Sequence, residues 1–142
     1  ENLWRMWYGS SLTWGATRDD FTHVIKCAES LNGKEWEPTG QIVLPLEEGT
    51  EFAHTRPCVV RERDIYRMWF SSIGTEYKLS YAESEDGICW LRKDEEVGIS
   101  PSTQEWDSTI EYASVFDHHE RRYMLYNGAD YGRTGFGIAV LG

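Results

Sequence analysis

Arg56 and His54 carry side chains that could hold a polar ligand near the middle of the chain. The planar guanidinium of Arg56 can make two parallel hydrogen bonds to a carboxylate or a hydroxyl-bearing ligand. Its alternative role is to neutralise the carboxylate of Glu111. His54 lies two residues before Arg56 and could serve the same ligand, or it could be a plain loop histidine. The sequence leaves both pairs of alternatives open.

Two predicted loops carry the remaining candidates for ligand contact. Trp14 lies outside the repeated segments, and an exposed tryptophan ring can stack on the apolar face of a pyranose sugar. Asp130, Tyr131 and Arg133 lie in a glycine-rich stretch near the C-terminal end. The glycines there do not follow the spacing of a phosphate-binding loop, so permissive loop backbone is the better interpretation.

Metal and cofactor sites are not expected. His118 and His119 are adjacent on a predicted hairpin tip, where their side chains would point apart, so a zinc site is not predicted. The three cysteines, Cys27, Cys58 and Cys89, lack C-x-x-C spacing and lie in apolar strand patterns. We expect buried free thiols, which favours a reducing, cytoplasmic compartment.

A short motif of aromatic and apolar residues occurs three times along the chain. It predicts the strands that would position the candidate side chains. Its copies are spaced about 60 residues apart, and the first two lead into the turn pairs Asn32-Gly33 and Asp86-Gly87. A long period of short aromatic segments and tight turns is typical of propeller blades. The three copies are Leu3–Ser10, Ile65–Ser72 and Arg122–Gly128.

The predicted fold is all-β, a single partial β-propeller domain of about two and a half antiparallel four-stranded blades over residues 1–142. Residues 1–45 end one blade, residues 46–100 form a complete blade, and residues 101–142 begin a third. Helix patterns are almost absent. Ten strands are expected: Trp4–Ser10, His23–Ser30, Glu35–Val43, Arg56–Arg61, Ile65–Ser71, Tyr77–Glu83, Trp90–Glu95, Tyr112–Phe116, Arg122–Tyr126 and Gly135–Val140.

The net charge of −10 argues against nucleic acid or an anionic membrane surface as a partner. No basic cluster is longer than Arg121-Arg122, and no apolar run approaches the length of a membrane span. No signal-peptide pattern stands at the start. The chain begins at Glu1 and not at Met, which leaves open a removed leader or a fragment of a longer protein.

The predicted blades are incomplete at both ends of the chain. The first blade lacks an inner strand and the third lacks an outer strand, so two and a half blades cannot close a ring. The open faces would expose aromatic surface and unpaired strand edges. We therefore expect either a piece of a larger protein or a homo-oligomer, most simply a dimer.

Three segments resemble the five-bladed β-propeller glycosidase superfamily, which includes arabinanases, xylosidases, invertases and levansucrases. They are His54–Val60, Tyr66–Ser71 and Tyr81–Trp90. The tail is similar to a poorly characterised branch whose members often occur in polysaccharide-biosynthesis settings. The resemblance covers the whole chain but only about the C-terminal half of a family domain. The tail segments are Trp106–Ser108, Ile110–Tyr112, Tyr123–Gly128 and Tyr131–Gly137.

The resemblance implies a site in a central funnel built from the first strands of successive blades. Aligning residues 57–59 with residues 113–115 places Tyr112 opposite Arg56 and Glu111 opposite Thr55. Glu111 is then the carboxylate at the mouth of an inner strand and the candidate acid, with Tyr112 beside it as a candidate contact. A hydrogen-bonded structural carboxylate is the alternative.

Glycoside hydrolysis needs two carboxylates that flank the bond to be cleaved. The aspartate that begins an inner strand in active family members has no counterpart here, because Arg56 and Tyr112 precede Pro57 and Ala113. The expected function is therefore a carbohydrate-binding or glycoside-hydrolase-like half propeller that is not an active glycosidase by itself. An oligosaccharide or polysaccharide is the expected ligand. The alternative is a non-catalytic protein-interaction module or a truncated remnant that folds as a dimer.

Overall fold

The computed structural model describes residues 3–17, 20–103 and 105–141, which form ten β-strands. The described residues also form two short 3-10 helices, Asp94–Glu96 and Glu105–Asp107. The prediction of an all-β chain is confirmed. The strands are β1 (Trp4–Thr13), β2 (Thr22–Ser30), β3 (Glu37–Ile42), β4 (Ala53–Glu62), β5 (Ile65–Ile73), β6 (Tyr77–Ser84), β7 (Leu91–Arg92), β8 (Glu111–His118), β9 (Arg121–Asn127) and β10 (Phe136–Leu141).

The strands form three antiparallel groups, which we name blade 1 (β1–β3), blade 2 (β4–β7) and blade 3 (β8–β10). Blades 1 and 2 belong to one sheet because β2 and β4 pair in parallel at one position, His23 with Ala53. Blade 3 is a separate three-stranded sheet. Each group runs up and down in chain order, as short connections between antiparallel strands require.

The repeated turn in blades 1 and 2 has the same structure in both copies. The Oδ1 atom of Asn32 accepts hydrogen bonds from the backbone N–H groups of residues 34 and 35, each 2.9 Å long. The Oδ1 atom of Asp86 does the same for residues 88 and 89, each at 2.8 Å. Gly33 and Gly87 adopt φ of 71° and 74°, which glycine accepts without steric cost. The repeated sequence therefore encodes a repeated side-chain-stabilised turn.

The central strand β5 has buried side chains on both of its faces, which explains its continuous apolar run. Met68 and Phe70 pack between blades 1 and 2, in a cluster that includes Ile25. Trp69 points the other way and packs between blades 2 and 3 with Tyr81. The alternation of strand side chains thus divides one run between two inter-blade cores.

The last strand of blade 2 is shorter than predicted, Leu91–Arg92 instead of Trp90–Glu95. The carboxylate of Asp94 accepts a hydrogen bond from the backbone N of Tyr81 at 3.1 Å, in place of a backbone partner from the outer strand. The chain then turns into the 3-10 helix Asp94–Glu96. A side chain therefore ends the ladder where strand propensity alone predicts its continuation.

All three cysteines are free thiols. Cys27 is buried, as predicted, and Cys58 is partly buried. The prediction is wrong for Cys89, which is exposed. Cys89 follows the turn of Asp86 and lies outside the strands. The ring centroids of His118 and His119 lie 4.0 Å apart. Their predicted divergence is therefore wrong, because His119 adopts φ of 47° and turns the chain there.

The outer edge of blade 3 exposes an apolar ladder. Phe136, Ile138 and Val140 alternate along β10 and are 78%, 62% and 58% exposed. On the opposite face of this blade, Met124 and Tyr126 are buried against blade 2. None of the helices found in the described residues is long and apolar enough to span a membrane.

Candidate functional site

Strands β4 and β8 carry the same irregularity near their first residues. The pairing of β4 with β5 skips a register between Thr55 and Cys58, and the pairing of β8 with β9 skips between Glu111 and Ser114. These bulges match the alignment predicted from the sequence, because Thr55 and Glu111 occupy the same position in the two strands.

Each bulge holds a non-glycine residue in the left-handed region, since Arg56 and Tyr112 both adopt φ of 53°. Such a conformation costs about 1–3 kcal/mol and tends to occur at functional sites. The two residues therefore stand at equivalent, strained positions on neighbouring strands. We call the group of Arg56, Tyr112, Tyr77 and Tyr131 the rim.

The rim is held together by contacts of Tyr112. Its backbone N donates to the Oγ of Ser71 on β5 at 3.0 Å. Its hydroxyl lies 3.1 Å from the hydroxyl of Tyr77, the first residue of β6. The Tyr112 ring stacks on Tyr131 at a centroid distance of 6.3 Å, and Tyr77 contacts Tyr131 edge-on at 5.3 Å. Three tyrosines from two blades thus form one aromatic cluster.

Two of the rim residues, Tyr77 and Tyr112, provide hydroxyl groups that stay protonated. Burial raises the pKa of Tyr77, and its hydrogen bonds with Tyr112 and Tyr131 raise it further. Burial also raises the pKa of Tyr112. At neutral pH these groups therefore act as uncharged hydrogen-bond donors and acceptors.

The guanidinium of Arg56 lies over the ring of Tyr112, with Cζ 5.2 Å from the ring centroid. The Arg56 side chain is exposed. Within the described residues Arg56 has no ion-pair partner, so the geometry does not join it to Glu111. The ring orients the guanidinium by a cation–π contact and leaves its N–H groups available.

Glu111 is 3% exposed and lies behind Tyr112. Its Oε1 atom accepts a hydrogen bond from the Thr109 hydroxyl at 3.1 Å, whereas Oε2 has no partner of suitable geometry among the described residues. Burial raises the pKa of Glu111 and outweighs the hydrogen bond from Thr109, and the negative charge of Asp130 raises it further. A carboxyl in this environment tends to keep its proton, which suits an acid and not a base.

His54 lies inside β4, fully buried, and so is neither a loop histidine nor part of the exposed rim. Its Nε2 donates to the carboxylate of Glu51 at 2.9 Å, and its ring packs edge-on against Phe70. Arg92 binds the same carboxylate through two hydrogen bonds of 2.8 and 2.9 Å. Burial lowers the pKa of His54, so the imidazole is neutral in this network.

The other predicted candidates lie in loops. Trp14 follows β1, is 77% exposed, and contacts the ring of His23 edge-on at 5.4 Å. Asp130 and Arg133 lie between β9 and β10 and form an ion pair with each other. Asp130 precedes Tyr131 of the rim, and its charge reaches Glu111. No contact joins Trp14 to the rim within the described part of the chain.

Two rim residues, Tyr77 and Tyr131, were not predicted to contact a ligand. Tyr131 was named with Asp130 and Arg133 in the glycine-rich loop, but only those two were taken as candidate contacts. Tyr77 gave no signal, because it begins the third strand of blade 2 and meets Tyr112 only through inter-blade packing.

The carboxyl group of Glu111 has no acidic counterpart at the equivalent position of β4. The position in β4 that corresponds to Glu111 is occupied by Thr55. Asp130 is the acidic residue whose charge acts on Glu111, and it is engaged by Arg133. The described residues also contain no group of three His, Cys, Asp or Glu side chains that could hold a metal ion.

No model of a known protein family matches the chain. Two relatives are uncharacterised proteins of Mycobacterium tuberculosis, MT1551 of strain CDC 1551 / Oshkosh and Rv1502 of strain ATCC 25618 / H37Rv. They are 49% and 48% identical over 141 residues, or 97% of this chain. The match covers 46% of each relative, so the chain spans less than half of their length.

Solved structures of glycoside hydrolases resemble almost the whole chain. Zg3597, a family 117 glycoside hydrolase of Zobellia galactanivorans, has a TM-score of 0.78 at 14% identity, over 98% of this chain and 48% of its own. The Bombyx mori GH32 β-fructofuranosidase BmSUC1 has a TM-score of 0.73 at 15% identity, over 99% and 31%. A thermostable family-43 glycoside hydrolase has a TM-score of 0.69 at 16% identity, over 96% and 49%.

These likenesses establish the fold at identities too low to establish an activity. They confirm the predicted partial propeller, since the chain aligns with 31% to 49% of each larger protein. The chain therefore has the fold of part of a β-propeller like those of these glycoside hydrolases.

Proposed function

We propose that this chain is a carbohydrate-binding, glycoside-hydrolase-like part of a propeller, and that the rim is its binding site. The observation that carries the proposal is the pair of equivalent bulges, which present Arg56 and Tyr112 side by side on neighbouring strands. Strained backbone tends to occur at functional sites, and here it places two side chains where one ligand can contact both.

The composition of the rim suits a sugar. Tyrosine rings pack on the apolar face of a pyranose, and their hydroxyl groups exchange hydrogen bonds with sugar hydroxyls. Tyr131 is exposed and stacks on Tyr112, so the cluster offers an accessible aromatic surface. The fold supports the same class of ligand, because the similar solved structures are glycoside hydrolases.

Turnover by the chain alone is not part of the proposal. The raised pKa of Glu111 suits a proton donor, but an ionised carboxylate on the opposite side of the glycosidic bond is also needed. The relatives are more than twice as long as the matched region, so such a carboxylate would come from additional chain or from a partner.

The test is calorimetric titration of the chain with a panel of oligosaccharides. Tyr112→Ala should weaken binding at least about tenfold, because it removes the stacking ring and the support of Arg56. Phe116→Ala is the matched control, since Phe116 is an exposed aromatic residue near the far end of β8, outside the rim. Glu111→Gln should bind as the parent does. Failure of every saccharide to bind, or equal binding by Tyr112→Ala, would overturn the proposal.

A second candidate, self-association as a dimer, is favoured by the exposed ladder of Phe136, Ile138 and Val140. An apolar edge strand of this kind is a template for pairing with another chain. Light scattering of the purified chain measures its mass, and Ile138→Lys should convert a dimer to a monomer. A parent chain that stays monomeric at all concentrations would exclude this candidate.

A further inference from the structure

We infer that the ligand of the rim is an anionic glycan, with a carboxylate or phosphate group bound by the guanidinium of Arg56. This inference rests on the proposed function and adds the charge of the ligand to it. A planar guanidinium binds either group through two parallel hydrogen bonds, so the two share one recognition chemistry.

The first reason is that the charge of Arg56 is uncompensated. Arg92 is paired with Glu51 and Asp94, and Arg122 is paired with Asp117 and Glu62. Arg56 instead lies over the uncharged ring of Tyr112 and has no ion pair among the described residues; Arg61, outside the rim, lies over Tyr66 in the same way. A guanidinium that is oriented but unpaired is ready to accept an anion from outside.

The second reason is that the acidic groups near the rim do not compete for Arg56. Glu111 is buried, with a raised pKa that favours its neutral form. Asp130 is neutralised by its ion pair with Arg133. The rim therefore combines one free cation with neutral donors, the hydroxyls of Tyr77 and Tyr112.

The third reason is the fixed position of Arg56 in its bulge. The net charge of −10 opposes anion binding at long range, so the attraction to an anion must come from this local positive group. Arg56 is placed by a bulge that costs conformational energy. A neutral ligand would gain much less binding free energy than an anion from the fixed guanidinium of Arg56.

The experiment compares charged and uncharged forms of the same sugar. Trigalacturonate and its fully methylated ester differ in charge but share their rings and linkages. Glucose 6-phosphate and glucose provide the corresponding pair for phosphate. The parent chain should bind one anionic form at least about tenfold more tightly than its neutral partner, as expected for hydrogen bonds to charged groups.

Arg56→Gln should remove that preference, and Arg56→Lys should restore part of it, because lysine keeps the charge without the bidentate geometry. Arg121→Gln is the matched control, since Arg121 is exposed at the far end of the β8–β9 hairpin. Near-ultraviolet circular dichroism checks that each variant is folded.

The outcomes separate the inference from the proposed function. Equal binding of the neutral and anionic forms, unchanged in Arg56→Gln, would overturn the inference and leave carbohydrate binding intact. A preference that survives in Arg56→Gln or disappears in Arg121→Gln would also overturn it. Absence of binding by any saccharide would overturn both. A preference confined to glucose 6-phosphate supports the inference, with phosphate as the group bound.

Discussion

The Sγ atom of Cys58 lies 3.1 Å from the backbone N of Val115 and 3.5 Å from its carbonyl oxygen. One thiol therefore satisfies both backbone groups of a residue in the neighbouring blade. Blades 2 and 3 belong to different sheets, so this contact replaces the backbone ladder that would otherwise join β4 and β8. It lies close to both bulges and helps to hold Tyr112 beside Arg56.

Cys58→Ala should lower the free energy of unfolding by about 1–3 kcal/mol, because it leaves the N–H and C=O of Val115 without their partner. Urea denaturation measures the change. Cys89→Ala is the control and should change stability by less than about 0.5 kcal/mol, since Cys89 is exposed. Equal effects of the two substitutions would contradict the role assigned to the thiol.

Glu111→Gln should stabilise the chain at alkaline pH. The raised pKa means that the folded carboxyl binds its proton more tightly than the unfolded one, whose usual value is 4.5. That contribution is fully present below pH 4.5 and is lost as the pH rises through the folded pKa. We expect equal stability of the two proteins at pH 4 and a higher free energy of unfolding for the variant at pH 8.

Unfolding curves at pH 4 and pH 8 measure the difference in stability between the parent and Glu111→Gln. The control Glu48→Gln, at an exposed position, should show no such pH dependence. A loss of stability in Glu111→Gln at pH 8 would instead support the alternative of a structural, hydrogen-bonded carboxylate.

Glu51→Gln should have the opposite pH dependence. Burial alone would raise the pKa of Glu51, but hydrogen bonds from Arg92, the backbone of Glu47 and His54 lower it to about 2. The stability that this ionised group contributes is present above pH 4.5 and is lost as the pH falls towards 2. At pH 7 the variant should be about 3 kcal/mol less stable than the parent.

Below pH 3 the difference between the parent and Glu51→Gln should shrink, which acid titration of the unfolding transition measures. Glu85→Gln, at an exposed turn position, is the control. A constant difference across this pH range would show that Glu51 acts through packing and not through its charge.

Gly128→Ala should destabilise blade 3 by about 1–3 kcal/mol or more, because a Cβ atom there would overlap the carbonyl oxygen of Trp106. That oxygen cannot move freely, since it accepts hydrogen bonds from the backbone N of Ala129 and the hydroxyl of Thr134. Gly9→Ala is the control, because nothing lies within 4 Å of the added atom. Thermal unfolding should separate the two variants clearly.

The repeats made the blades predictable, because the side chains that build each turn and inter-blade core recur in the sequence. The bulge alignment of Glu111 with Thr55 was predictable for the same reason. The burial of His54 was not, since it depends on Arg92, a residue 41 positions from the shared partner Glu51. Tyr77 was missed because its neighbour Tyr112 belongs to another blade. The sequence pattern within a strand does not predict such contacts between side chains of different blades.

The equivalent bulges make the position of a side chain independent of its identity. The backbone of each blade sets where a side chain stands, while the identity of that side chain is free to differ, as arginine in one blade and tyrosine in the next. Under the proposed function, single substitutions at positions 56 and 112 would therefore change ligand preference without rebuilding the scaffold. In a repeat architecture of this kind, the bulge positions of successive blades are equivalent sites at which side chains can be exchanged to engineer new specificities.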